Sequence, residues 1–431
     1  MKGNSVPFGE HLQRRRAALV SWLALAVAVG GVVTYAVQAD GYQAHRADLN
    51  DGGIWVTSKH DGSYGRINKP IGELDGTVFS SPDSNLDIVQ DGDSVVGVNL
   101  SDGVVVPLDP AQMKVPDGEE AAIPGSPVVG MAGGSLAVLD ASTGDLWAAR
   151  EDPEVGVPSV ATLADQADPL AEVGEDAAMA VTLDGTVLAA SATEDRLLTL
   201  RQQGDTGFLE ATTHDLPGDA FSDAIALTAV GAVPVVLDSA SGRLLVIGGA
   251  DAEVPPGSVL QQAGPSASAV LVGARDALLS VDLATGKVTT VTGDVAGEPA
   301  SPVRLGDCVY GAWSGGTGAV VTACGGGPAA PQALASTTSG LVFRTNRGQI
   351  VLNDRETGHV WDIDSDKPTR LDNWDAFNLE SEDEEEDDDD EYGALPGVPA
   401  ASANAKTPTT GRWSDRPVRD TCTLSGSSRG S

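Results

Sequence analysis

Four aspartates stand in one repeated setting: Leu139-Asp140-Ala-Ser-Thr143-Gly144, Leu237-Asp238-Ser-Ala-Ser241-Gly242, Val281-Asp282-Leu-Ala-Thr285-Gly286 and Asn353-Asp354-Arg-Glu-Thr357-Gly358. A carboxylate four residues before a glycine, with a hydroxyl in between, can do two kinds of chemistry. It can act on a bound substrate or metal, or it can accept hydrogen bonds from the N–H groups of its own turn while the glycine supplies a positive φ. A short apolar run precedes each aspartate and another follows each glycine, as in Leu146-Trp147 and Val360-Trp361. Turn-holding is therefore the expected role of Asp140, Gly144, Asp238, Gly242, Asp282, Gly286, Asp354 and Gly358. Each set makes a hairpin whose register is pinned by side-chain chemistry.

Other traces of chemistry are missing from the sequence. It contains no Gly-x-Ser-x-Gly elbow, no phosphate loop, no His-Glu-x-x-His and no Cys-x-x-Cys. Histidines 11, 45, 60, 214 and 359 are scattered, and His60 and His359 read as solvent-exposed turn residues. No catalytic, cofactor-binding or metal-binding residue is expected, and no cofactor. Cys308 and Cys324 flank Trp313-Ser-Gly-Gly-Thr-Gly-Ala-Val-Val. In an exported chain they are expected to form a disulfide across one hairpin, which leaves Cys422 over. By the loop-entropy model such a closure adds roughly 3 kcal/mol.

The elements that position these turns follow from their spacing. Asp61-Gly62, Asp102-Gly103, Thr143-Gly144 and Asp184-Gly185 succeed one another at 41 residues. Ser241-Gly242, Thr285-Gly286, a turn near Gly315, Gly316 and Gly318, and Thr357-Gly358 continue the series more loosely. The flanks are short and β-branched, as in Ile54-Trp-Val-Thr57, Val95-Val-Gly-Val98 and Val233-Pro-Val-Val236. A unit of about 40 residues holding three or four short strands matches a β-propeller blade. The 320 residues from Gly52 to Leu371 hold seven or eight such units. The fold class is thus all-β, a propeller of seven or eight blades over 46–375, with a pair of β-sandwiches as the alternative. A single blade cannot bury both faces of its sheet, so its stability comes from stacking against neighbours.

Composition agrees and sets the compartment. Of 431 residues, 41% are apolar, and 52 glycines with 25 prolines favour turns over long helices. With 62 acidic against 26 basic residues the net charge is −36, which argues against nucleic acid as a partner. Residues 17–38 begin with 21 uncharged positions, enough for roughly 30 Å of hydrocarbon. Arg14, Arg15 and Arg16 precede them, while Asp40, Asp48 and Asp51 follow. The positive-inside rule gives a cytoplasmic tail at 1–16, a transmembrane helix at 17–38 in the lipid bilayer, and an extracellular remainder. Val37-Gln38-Ala39 also fits a signal-peptidase site, so cleavage is the competing expectation. Residues 376–431 read as a disordered tail, with 11 acids among the 12 residues of 380–391. The last stretch, from Trp413 through Cys422 to Ser431, ends in no element and reads as the truncated or out-of-frame end of a longer gene.

Two resemblances bear on function. The Asp-x-x-Thr/Ser-Gly hairpin resembles the turn of propellers of the pyrroloquinoline-quinone dehydrogenase type, which implies an exported quinoprotein as the alternative; carboxylate pairs on an acidic surface make a glycan-hydrolysing propeller the other form of it. The basic tail, the anchor, Gly52-Gly-Ile-Trp-Val-Thr57, Gly65-Arg-Ile-Asn-Lys-Pro70, the propeller and the acidic spacer together resemble the N-terminal region of large membrane-anchored surface proteins of actinobacteria. In that family fibronectin type III or Ig-like repeats follow the spacer, and this sequence lacks them. The resemblance implies a single-pass cell-envelope protein, not an enzyme, whose propeller binds an unidentified protein or cell-wall polymer.

Overall fold

The computed structural model describes residues 53–377, apart from short internal stretches of which 152–159 is the longest. The expected helix at 17–38 and the tail from 378 onward lie outside the described residues. Among the described residues no helix is long and apolar enough to cross a membrane.

The chain folds as an eight-bladed β-propeller. Within a blade the strands are lettered A to D from the axis outward, and all neighbours pair antiparallel. Blade 2 shows the plan: A is Leu86–Asp91, B is Ser94–Asn99, C is Val104–Pro107 and D is Ala121–Ala122. The A–B turn is tight and lies on one face of the disc, and the B–C turn lies on the other. B strands are the most completely buried, as in Ser135–Asp140 of blade 3, where all six residues are inaccessible. Their alternate side chains pack against the blades on either side. Leu139 and Ala137 meet Val181 and Val187 of blade 4, while Leu136 and Val138 meet Val96 and Val98 of blade 2. Both faces of a B strand are therefore apolar, which explains why the sequence shows short solid β-branched runs instead of polar–apolar alternation.

Two blades depart from this plan. Blade 1 has only B (Gly53–Ser58), C (Ser63–Asn68) and D (Glu73–Phe79) among the described residues. Its B strand is nonetheless fully buried, and side-chain amides take the place of an A strand. The Gln90 Oε1 accepts from Trp55 N at 3.0 Å. Asn353 accepts from Thr57 N and donates to Thr57 O, both at 3.0 Å. Asn346 Nδ2 donates to Gly53 O at 2.9 Å. The inner strands of blades 2 and 8 meet in front of this edge, where Arg344 reaches Asp87 and the Ile88 carbonyl.

In blade 6 the short strand Val259–Leu260 occupies the inner position and the tight hairpin follows as B (Ala269–Ala274) and C (Ala277–Asp282). The Asp282-Gly286 turn therefore leads into the outermost strand, Val288–Thr292, one place further out than its counterparts. The described chain then passes to blade 7 without adding another strand to that sheet.

Among the described residues the ring closes without a shared sheet. After Thr369–Arg370, the outer strand of blade 8, the chain crosses to blade 1, where Asn373 Oδ1 accepts from Leu74 N at 2.8 Å. Trp374, which the repeat spacing leaves outside the blades, is buried with Ile54, Val56, Val351 and Val360.

Candidate functional site

Two places could carry function: the face bearing the B–C turns and the central channel. Each aspartate singled out in the sequence holds its hairpin; those of Asp140, Asp238 and Asp354 lie on the B–C turn face, whereas the Asp282 turn, one strand further out in blade 6, lies on the opposite face beside Ala250. Asp140 Oδ1 accepts from Ser142 N at 2.9 Å and Ser142 Oγ at 2.6 Å. Asp282 Oδ1 accepts from Thr285 N at 2.9 Å and Thr285 Oγ1 at 2.7 Å. Gly144, Gly242, Gly286 and Gly358 all have positive φ, between 67° and 81°, and each donates its N–H to the aspartate carbonyl four residues earlier.

The carboxylates also do something that the sequence pattern did not disclose. Asp238 binds Ser222 through both oxygens, at 2.8 and 3.0 Å, and Asp354 binds Thr338 in the same way at 2.6 and 2.7 Å. Both partners lie 16 residues upstream, in the loop that enters the A strand of the same blade. Ser191 Oγ to the Glu175 carbonyl and Ser314 Oγ to the Glu298 carbonyl repeat that 16-residue staple with serine. Ser58 and Asn99 occupy the same strand-end position in blades 1 and 2 and hold their own turns. Aligning the sequence on the polar residue that ends each β-branched run, and not on the glycine, exposes this series.

That alignment corrects one sequence expectation. Asp184-Gly185, the fourth member of the 41-residue series, lies in the A–B turn of blade 4, between Ala177–Val181 and Val187–Ser191, on the opposite face of the disc. The true counterpart in blade 4 is the turn after Ser191, closed by Asp195 at φ 47° instead of by glycine. The longer loops around blade 4 shift the register, and the constant spacing there is a coincidence of length.

Donors fix the chemistry of two of these carboxylates, Asp238 and Asp282. Burial pushes the Asp238 carboxyl up, but the hydroxyl and N–H donors of Ser222 and Ser241 outweigh it and hold it at about 2. The Thr285 hydroxyl and N–H lower Asp282. A group held ionised in this way is suited to fastening a turn, not to delivering a proton at neutral pH. Because the folded-state pKa is depressed, the stabilisation is present above the unfolded value near 4 and fades as pH falls toward 2. Asp238→Asn is therefore expected to cost about 1–2 kcal/mol at pH 7, with a gap to wild type that narrows below pH 4 in urea titrations.

The glycines offer a second check. A Cβ on Gly144 would lie 2.1 Å from the Gly174 carbonyl oxygen, whereas one on Gly348, at a similar φ of 80°, would meet nothing within 4 Å. Gly348→Ala is expected to cost about 1–2 kcal/mol, the backbone term alone. Gly144→Ala adds a backbone clash and is expected to cost clearly more in the same denaturation series.

The central channel encloses about 650 Å³. Blades 3 to 5 line it with Val129, Met131, Met179, Val181 and Ala226, whereas the opposite wall carries Gln90, Gln262, Arg344 and Asn346. That polar wall is committed to the fold: Gln262 Nε2 donates to the Phe343 carbonyl at 2.9 Å, and Gln90, Asn346 and Arg344 secure the blade 1 gap. Among the described residues no group of three His, Cys, Asp or Glu is placed to hold a metal ion.

Cys308 and Cys324 are directly opposed in blade 7, between Cys308–Ser314 and Gly318–Cys324, and are joined by a disulfide. Two histidines expected at exposed turns differ. His60 is exposed, but His359 is half-buried, with its ring edge-on to Trp361 at 5.7 Å.

Comparison with known proteins gives only distant likenesses. No protein family matches the sequence, and no curated protein does. Among solved structures, a 6-phosphogluconolactonase-like protein from Bacteroides uniformis is 13% identical, covering 74% of this chain and 96% of its own at a TM-score of 0.38. A streptogramin B lyase is 11% identical, with coverages of 70% and 93% and a TM-score of 0.42. A functionally unknown protein from Desulfotomaculum acetoxidans is 10% identical, with 71% and 99% covered and a TM-score of 0.43. Likeness at this level says nothing about substrate or activity.

Proposed function

We propose that this chain is a single-pass cell-envelope protein that presents its propeller outside the cell as a binding or scaffolding module. In this reading it is the N-terminal part of a surface protein of the fibronectin type III or Ig-like repeat type. The observation that carries the export half is the Cys308–Cys324 disulfide, since such bonds persist in oxidising compartments and are rare in the cytosol. The Arg14–Arg16 cluster ahead of the apolar segment supports the same orientation. Binding is supported by the construction of the turn face, where seven strand ends fasten their loops with side-chain hydrogen bonds. Loops held this rigidly lose little freedom when a partner docks.

Thiol counting on membranes from expressing cells tests export. Of the three cysteines, one is expected to react with a maleimide reagent in denaturant before reduction and all three after it. Three reactive thiols without reductant would defeat the export reading. Binding is tested by capturing wall polymer and surface proteins on the purified chain; an empty capture from both pools would remove the binding half and leave the export half standing.

A further inference from the structure

The outer edge of blade 6 differs from that of every other blade. Natural sheets blunt such edges with short strands, charges or a covering loop. Here the outer strands of blades 2, 3, 5 and 8 are two residues long, three of them ending in Glu172, Glu253 or Arg370, and the uncharged outer strand of blade 7, Gln332–Leu334, is only three residues long. The outer strand of blade 4 contains His214 and Asp215. That of blade 1 contains Glu73 and Asp75 and lies under the 109–115 loop, whose Met113 packs on Gly76. Blade 6 instead ends in Val288-Thr-Thr-Val-Thr292, five residues without a charge, the first three exposed. This strand follows the Asp282-Gly286 turn, as the C strands of blades 3, 5 and 8 follow theirs. In those blades a further strand covers it; in blade 6 none does among the described residues.

We propose that this edge pairs antiparallel with the same edge of a second copy of the chain. The charges at its two ends select both the occupant and the direction. Exposed Lys287 precedes the strand and exposed Asp294 follows it. Antiparallel pairing brings the lysine end of one copy to the aspartate end of the other, whereas parallel pairing sets like charges together. The isologous arrangement is also the one that closes as a dimer. For a chain of net charge −36, an uncharged strand is where two copies approach with least repulsion. The pairing has a geometric consequence. Reversing the strand inverts one disc relative to the other, so the two N-terminal strands begin on opposite faces of the pair. Copies anchored on facing membranes meet in this way; that consequence rests on the anchor reading, and the pairing does not.

The test uses the full chain in detergent micelles, with Cys422→Ser throughout. Thr290→Cys, at the middle of the strand, is expected to form a disulfide-linked dimer under mild oxidation, in several-fold excess over Thr213→Cys on the outer strand of blade 4. In sedimentation, the parent is expected to run as a dimer and Thr290→Lys as a monomer, with unchanged circular dichroism. A parent that stays monomeric as concentration rises, or equal cross-linking at the two positions, would overturn the pairing. Pairing in micelles without clustering of proteoliposomes would instead defeat only the anchored arrangement.

Discussion

Replacing Trp374 with alanine is expected to lower stability by about 3–5 kcal/mol, the usual cost of deleting a buried large aromatic side chain. The indole is 6% exposed and sits where the last blade meets the first. Its Nε1 donates to the Gly358 carbonyl at 2.7 Å, and its six-membered ring lies so close to Gly65 that an added Cβ there would be 2.5 Å from it. Around it pack Ile54, Val56, Leu371 and Val360, drawn from both blades. Propellers gain stability by closing the ring, and here one segment after the last strand provides much of the closure, with no shared sheet among the described residues. The alanine variant should therefore melt about 5–10 °C below wild type in scanning calorimetry. Trp374→Phe keeps most of the apolar contact and loses the hydrogen bond, so it should fall about 1 kcal/mol short. Equal stability of the alanine variant and wild type would show that blades 8 and 1 are held by something else.

Asn353→Leu is expected to cost about 2–6 kcal/mol, although the two side chains are close in size. Asn353 is fully buried and its amide serves both the N–H and the carbonyl of Thr57. A leucine leaves two buried backbone groups unpaired, each worth about 1–3 kcal/mol. Asn353→Asp separates this from a packing effect. Its ionised carboxylate would still accept from Thr57 N, but would face the Thr57 carbonyl with like partial charge in a site without water. That raises the carboxyl pKa above its unfolded value, so the variant should lose stability as pH rises through the raised pKa and recover below the unfolded one. Urea midpoints measured from pH 4 to 8 would show this slope. A flat profile would mean that the amide is dispensable and that the inner edge of blade 1 is satisfied in another way.

Much of the fold was legible in the residues. Short β-branched runs separated by Asp-x-x-Thr/Ser-Gly hairpins gave an all-β ring of seven or eight blades, and the structure has eight. Asp140, Asp238, Asp282 and Asp354 hold their turns as their local chemistry requires, because a carboxylate two to three residues from N–H donors needs nothing remote to act. Spacing misled where loop lengths vary: Asp184-Gly185 kept the interval and lies in a different turn.

The sequence alone determines what acts within about ten residues: strand, turn, capping carboxylate, and the charge asymmetry around an apolar segment. Tertiary structure decides what depends on pairs far apart in the chain. It placed Asn353 on Thr57, brought Trp374 to Gly65, joined Ser222 to Asp238, and left the outer strand of blade 6 without a neighbour among the described residues. No periodicity marks such residues, because a lone asparagine or tryptophan has the same local appearance wherever it lands. Their role arises only when the ring closes and backbone groups lacking a strand must find another partner.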